Sequence, residues 1–289
     1  MPDQLSPLDA ASEGFRVMRR EPWAVVYWIA VWALALVAIA VSKVFLGGPV
    51  AHGESRDALG VIRSYGPLAT IFVPTLLALW VMNTATVYRA VLRPGEHGWH
   101  LFKLGEDEAR IVVVIAAGAG ALVLFGGAPA YLLLVLFNPI FLAAPNLNWL
   151  IAVVGAVATV CVEIWIAVRF SLAPVQTFAE RAFPAGAYWG FTRGGFWRLL
   201  GAYALVVLEV AIFFVAFVVI GLIAEPAFAA VLSWQGPRVL RLVVILGILV
   251  PIAAVSSGVA FVVPSALICG CQAYAYRAIS GRKAAAEAA

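Results

Sequence analysis

The chain has 289 residues and very little charge. Asp, Glu, Lys and Arg make up 12% of it, against about a quarter of an average soluble domain. So few charged groups cannot cover a water-soluble globule of this size. A soluble enzyme, a disordered tail, a coiled coil and a nucleic-acid-binding module are excluded as descriptions of the whole chain. Cysteine is scarce too: Cys161, Cys269 and Cys271 all lie in apolar stretches. An odd number of thiols in such stretches is no disulfide framework. Only Gly270 separates Cys269 from Cys271, closer than metal-ligand pairs usually stand, so all three read as small packing residues. The histidines are His52, His97 and His100, none inside an apolar run. Glu96-His97-Gly98-Trp99-His100 lacks the order of a helical zinc motif, and Gly98 weakens a helix between the imidazoles. The reading is therefore no metal, no cofactor and no enzyme: the apolar runs hold no nucleophile with a base and no carboxylate pair within one segment. The N-terminus lacks the small-residue cleavage site of a signal peptide, so the first apolar run is expected to stay as an anchor.

What is present is hydrocarbon. Hydrophobic residues are 64% of the chain, and mean hydropathy is +1.00. Six runs reach the roughly 20 residues that cross a bilayer: 23–46, 67–88, 111–137, 149–168, 199–223 and 242–273. The expected fold is all-α, a polytopic membrane helix bundle with six transmembrane helices and interfacial amphipathic helices. Residues 1–22 are expected to form a cytoplasmic interfacial helix, 23–273 the six-span domain and 274–289 a cytoplasmic tail. The last run exceeds a bilayer thickness, and Pro251 and Pro264 are expected to kink it or end it early.

Orientation follows from the basic residues. Of the 19 Lys and Arg, 14 fall in the N-terminal segment, the loops after spans two and four, and the C-terminal tail; five fall on the other side. Cytoplasmic loops are the ones enriched in Lys and Arg, so both termini are expected in the cytoplasm. Ser6-Pro7-Leu8-Asp9 resembles a helix start with proline in the first turn. Leu8, Ala11, Phe15 and Met18 then recur at helical spacing, as in a helix lying on a membrane surface.

Aromatic residues stand beside arginines at span edges. Trp99, Arg93, Trp189, Arg193, Trp197 and Arg198 are the expected interfacial, lipid-headgroup residues. Around them lies a loose similarity between two stretches: Trp99, Phe102, Gly105 and Arg110 after Pro94, and Trp189, Phe191, Gly194 and Arg198 after Pro184. A parallel repeat and coincidence both account for it. Glu106, Asp107 and Glu108 precede span three, where negative charge suits a helix N-terminus, and Glu106 is spaced to pair with Arg110. Gly118, Gly120, Gly126 and Gly127 in span three, and Gly155 with Thr159 in span four, are expected to permit close helix packing.

Inside the runs stand two carboxylates, Glu163 and Glu209. An ionisable residue there is a candidate site by default. Glu209 and Glu163, with Asn83, are the candidate intramembrane polar site. The glutamates either bind and release protons or hold helices together through Asn83, Thr84, Ser256 or Ser257. No basic residue lies deep in any run, which weighs toward the structural role.

Three stretches carry a resemblance. They are Phe15-Arg16-Val17-Met18-Arg19-Arg20-Glu21-Pro22; Tyr88-Arg89-Ala90-Val91-Leu92-Arg93-Pro94 with Phe102-Lys103-Leu104-Gly105 and Asp107-Glu108-Ala109-Arg110; and Phe191-Thr192-Arg193-Gly194 with Phe196-Trp197-Arg198-Leu199-Leu200-Gly201. Together they resemble a group of uncharacterised multi-span bacterial inner-membrane proteins. More distantly, they are similar to the membrane domain of some glycerophosphodiester phosphodiesterases. The resemblance implies six spans in a bacterial inner membrane and no reaction, since the phosphodiesterase activity belongs to a separate soluble barrel. The functional expectation is a non-enzymatic envelope component that binds lipid or a partner. The alternative is a permease for a small or amphiphilic solute, coupled to protons through Glu209. Expected partners are membrane lipids, with a protein partner or a second copy also open, and no nucleic acid.

Overall fold

The computed structural model of the chain describes residues 5–46, 58–93, 105–128, 145–183, 187–233 and 244–287, with isolated positions between them. Nearly all of these residues are helical, and no strand occurs among them. In chain order the helices are α1 (Pro7–Arg20), α2 (Pro22–Leu46), α3 (Ala58–Leu92), α4 (Glu106–Leu122), a π-helical turn π1 (Val123–Gly127), and α5 (Pro145–Phe170). Then come α6 (Ala173–Glu180), α7 (Ala187–Arg193), α8 (Phe196–Ser233), a second π turn π2 (Ile245–Leu249) and α9 (Val250–Glu287). The protein is thus all-α, and six of its helices are long and apolar enough to cross a membrane. Those spans are Pro22–Ile39, Phe72–Leu92, Glu106–Phe125, Val153–Glu180, Phe196–Val231 and Gly247–Gly281.

Helix is the expected outcome for such runs. Backbone N–H and C=O groups have no water to bond in hydrocarbon, and a helix satisfies them within one segment. The last run does not end early at either of its prolines. Pro264 sits inside α9, which continues unbroken to Glu287, and Pro251 is the second residue of that helix, directly after π2. Pro251 comes just after π2, where the regular helical ladder is already interrupted. Helix α8 likewise passes through Pro226 to Ser233, which brings Glu225, an exposed residue, into the fifth span as a further carboxylate. The third run is described only as far as Ala128, and the loop expected at 138–148 lies largely outside the described residues.

The chain divides into two compact units. The first comprises 1–10, 88–204 and 271–289; the second comprises 11–87 and 205–270. In the first unit α4 packs against α5 and α6, α5 packs against α7, and π1 lies against both α4 and α5. Helix α6 is buried over most of its length, with Ala173, Val175, Gln176, Thr177 and Phe178 all inside. Arg181 ends it in the left-handed conformation (φ 53°), the place where a helix usually sets a glycine.

The second unit is built on close backbone approach. A Cβ at Gly14 would fall 2.5 Å from Leu267 Cα, and one at Gly270 would fall 2.7 Å from Gly14 Cα. A Cβ at Gly258 would fall 2.6 Å from the Ile29 carbonyl oxygen. Close packing was expected elsewhere. A side chain at Gly120, Gly127 or Gly155 would meet nothing within 4 Å, and one at Gly118 only Phe170 at 3.9 Å. Trp32 and Phe261 stack with centroids 3.8 Å apart, and Trp28 is buried nearby in sequence on α2.

Helix α1 begins where its sequence indicates: the Asp9 N–H donates to Ser6 Oγ at 3.3 Å. The face it packs within the protein lies largely apart from the stripe expected against a membrane surface. Ala11, Glu13, Gly14 and Val17 are buried, while Leu8 and Phe15 are exposed. Glu13 is 1% exposed and meets Arg16 at 3.3 Å and Arg20 at 3.5 Å. Alanine and glycine define the packed face because they let α9 come close, a property that hydrophobic periodicity does not register.

Candidate functional site

The most site-like feature of the first unit lies between π1 and α5. After Leu122 the helix widens by a residue, so that the Ala128 N–H reaches the Val123 carbonyl, five residues back. Such turns interrupt the regular ladder and recur at functional positions. Leu122, Val123 and Gly127 form one wall of a cleft of about 450 Å³, and Glu163, Ile164 and Ala167 of α5 form the other. That volume falls within the range of small-molecule sites, roughly 300–1,000 Å³. Glu163 and Ala167 share a face, one turn apart. Glu163 is half-buried, and among the described residues it has no ion pair or hydrogen bond. Gly127 leaves open the space that a side chain would fill.

A second cluster surrounds the start of α4. Glu106, Asp107 and Glu108 occupy its first turn, as the acidic run indicated. The Glu108 carboxylate accepts the Gly105 N–H at 3.0 Å and pairs with Arg89 from α3. Arg93 pairs with Asp107 at 3.4 Å and donates to the Phe178 carbonyl at 2.7 Å. Both guanidiniums sit over the buried Phe178 ring, Arg93 at 4.5 Å and Arg89 at 5.7 Å from its centroid, within cation–π range. Gln176 donates to Glu180 at 2.9 Å, and the Tyr276 hydroxyl donates to the same carboxylate oxygen at 3.1 Å. The Tyr88 hydroxyl donates to Gln272 at 2.5 Å. The charged groups pair with one another, and among the named side chains only the buried Gln176 Oε1 has no hydrogen-bond partner among the described residues, so the cluster reads as a clasp.

The third cluster is aromatic. Arg169, in the last turn of α5, lies 5.5–5.7 Å from the rings of Trp165, Trp189 and Phe196. It donates to Thr192 Oγ1 at 3.0 Å and to the Trp189 carbonyl at 3.4 Å. A cation there also suits the helix C-terminus.

In the second unit several neutral polar groups pair off, while the buried Trp32 Nε1 has no hydrogen-bond partner among the described residues. Asn83 donates to Ser265 Oγ at 2.5 Å, and Ser265 in turn donates to the Val262 carbonyl at 2.9 Å. Cys269 Sγ lies 3.6 Å from Thr84 Oγ1, and Ser257 donates to the Ala253 carbonyl at 2.8 Å. Glu209 on α8 is half-buried, and its Oε2 has no hydrogen-bond partner among the described residues. Asn83 gives its amide to Ser265, and among the described residues no hydrogen bond joins it to Glu209; Glu163 belongs to the first unit.

The expected headgroup residues divide. Arg193, Trp197 and Arg198 are exposed, with Trp197 at 78%. Arg93 is turned inward, 16% exposed, because Asp107 and the Phe178 carbonyl hold it. Trp189 is half-buried, edge-on to Trp165 at 5.0 Å. Trp99, Phe102, His52, His97 and His100 lie outside the described residues. Sequence reasoning passed over Arg89, Glu108, Phe178 and Arg169 as site residues. The signal available was two arginines one turn apart at the end of a span, followed by an acidic triplet. No protein-family model matches the chain, and neither a curated protein nor a solved structure matches it.

Proposed function

We propose that this chain is a non-enzymatic, multi-pass protein of a bacterial inner membrane that binds a lipid or lipid-like amphiphile in the cleft between π1 and α5. The observation that carries this reading is the lining of that cleft. Among the described residues that line it, five are apolar or glycine and the sixth is Glu163. A site with an apolar body and one polar fixing group suits a molecule built the same way. The same reading places both termini in the cytoplasm, supported by the basic-residue asymmetry, and keeps the kinship with the uncharacterised inner-membrane group.

The test is native mass spectrometry of the full chain extracted gently from its own membrane. The expected result is a retained lipid or amphiphile at fixed stoichiometry, lost when Gly127→Leu fills the cleft. Retention of only a second polypeptide, with no small ligand, overturns the reading in favour of a subunit or scaffold. Reporter fusions at Ala289 and in the 47–66 loop test orientation, with cytoplasmic activity expected only at Ala289.

A second reading, a proton-coupled permease, draws on Glu209 and its unpartnered Oε2. It predicts that Glu209→Gln abolishes a pH-dependent flux while expression holds. A change in detergent stability alone makes the glutamate structural.

A further inference from the structure

Resting on the amphiphile reading, we infer that the cleft selects a cationic head: its ligand is an amine-bearing amphiphile whose ammonium group meets Glu163. An ionised carboxylate among apolar side chains is costly unless it takes a proton or meets a cation. Glu163 has no cation of the protein within reach among the described residues. The nearest arginine along its helix, Arg169, is six residues on, held by Trp189 and Thr192 and enclosed by three aromatic rings. Among the described residues no basic side chain lines the cleft. The charge this site lacks is therefore positive, and a ligand can bring it.

The apolar part of the ligand has a track. Val153, Val157, Val160 and Ile164 are all exposed, and their spacing of four, three and four residues puts them on one face of α5. Ile164 also lines the cleft, so the stripe ends there. From Val153 to Glu163 the helix rises about 15 Å, roughly half the hydrocarbon thickness of a bilayer. A single alkyl chain laid on this stripe stays in hydrocarbon for one leaflet's depth while its head reaches the carboxylate. Gly127 keeps the opposite wall open at that point.

The experiment uses the full chain in phosphatidylcholine nanodiscs, a zwitterionic surface, with dodecylamine, dodecanol and dodecyl sulfate as probes read by native mass spectrometry. The wild type is expected to bind dodecylamine about tenfold more tightly than dodecanol, the size of one partly screened ion pair, and to bind dodecyl sulfate least. Glu163→Gln is expected to remove the preference for the amine while dodecanol binding holds. Gly127→Leu is expected to weaken dodecylamine and dodecanol alike. A preference for the amine that persists in Glu163→Gln overturns the inference, as does equal binding of amine and alcohol by the wild type. Binding that is indifferent to Gly127→Leu places the probe elsewhere and also overturns it. If the wild type retains none of the three probes, the amphiphile reading itself fails, and the head-group inference falls with it.

Discussion

The two units of this protein are held together by opposite means. The first is fastened by charge and aromatic rings: Arg89 with Glu108, Arg93 with Asp107, both over Phe178, and Arg169 among Trp165, Trp189 and Phe196. The second has its closest contacts where there is almost nothing: Gly14 against Gly270, and Gly258 against the Ile29 carbonyl. Its polar contacts between helices include neutral ones, such as Asn83 with Ser265, while the ion pairs of Glu13 with Arg16 and Arg20 stay within α1. The difference follows from where each residue lies along its helix. Arg89, Arg93, Glu108 and Arg169 stand at helix ends, where side chains meet orphan backbone groups and the dipole favours one sign of charge. Gly258 and Gly270 stand inside α9, where lipid supplies no hydrophobic force between helices and packing must come from close approach.

The comparison is broken most sharply at the glycines. Gly270→Leu is expected to destabilise the protein by about 3 kcal/mol, the upper end for overpacking, because backbone rather than a movable side chain blocks the new Cβ. Gly155→Leu, where nothing lies within 4 Å, is expected to leave stability unchanged. Thermal melts in a mild detergent separate the two, and equal losses refute the distinction.

The charged clasp comes next. Glu108 is 2% exposed, and its loss strands Arg89 and frees the Gly105 N–H together. Glu108→Ala is expected to cost about 3 kcal/mol, less whatever solvent reaches Arg89. The pair Glu108→Leu with Arg89→Met is expected to recover part of that loss, since an apolar pair leaves no charge unmatched. A double variant worse than the sum of the singles goes against a clasp that works through charge pairing.

The smallest effect belongs to the neutral pair. Ser265→Ala removes one partner of Asn83 and is expected to cost about 1 kcal/mol, in line with hydrogen bonds between membrane helices. A loss as large as that from Glu108→Ala erases the contrast between the units.

The large elements were legible because hydrocarbon demands a run of apolar residues, and all six runs became spans. The start of α1 at Pro7 and the acidic start of α4 were legible for local reasons: a serine side chain and three carboxylates act within one turn. Other features depended on partners distant in sequence. Gly120, Gly127 and Gly155 look like packing residues from spacing alone, yet what makes a glycine necessary is a facing backbone. That facing backbone exists for Gly14, on a helix whose polar composition gave no hint of it. Pro264 does not end its helix, because in lipid neighbouring groups can satisfy the carbonyl that a proline frees. Glu163 was visible as an ionisable residue in a span. The π turn that opens a cleft beside it was not, since one extra residue in a helical ladder has no compositional signature.

The meeting of Gly14 with Gly270 also bears on how the protein is made. About 250 residues separate the two, and at about 5–20 residues per second the first helix waits tens of seconds for its partner. Until α9 is inserted, the small-residue face of α1 and the buried Glu13 have nothing to cover them. The last span is therefore the closing piece of the second unit. A chain stalled before it carries an uncovered small-residue helix face at its N-terminal end, a mark by which the cell can tell an unfinished copy from a finished one.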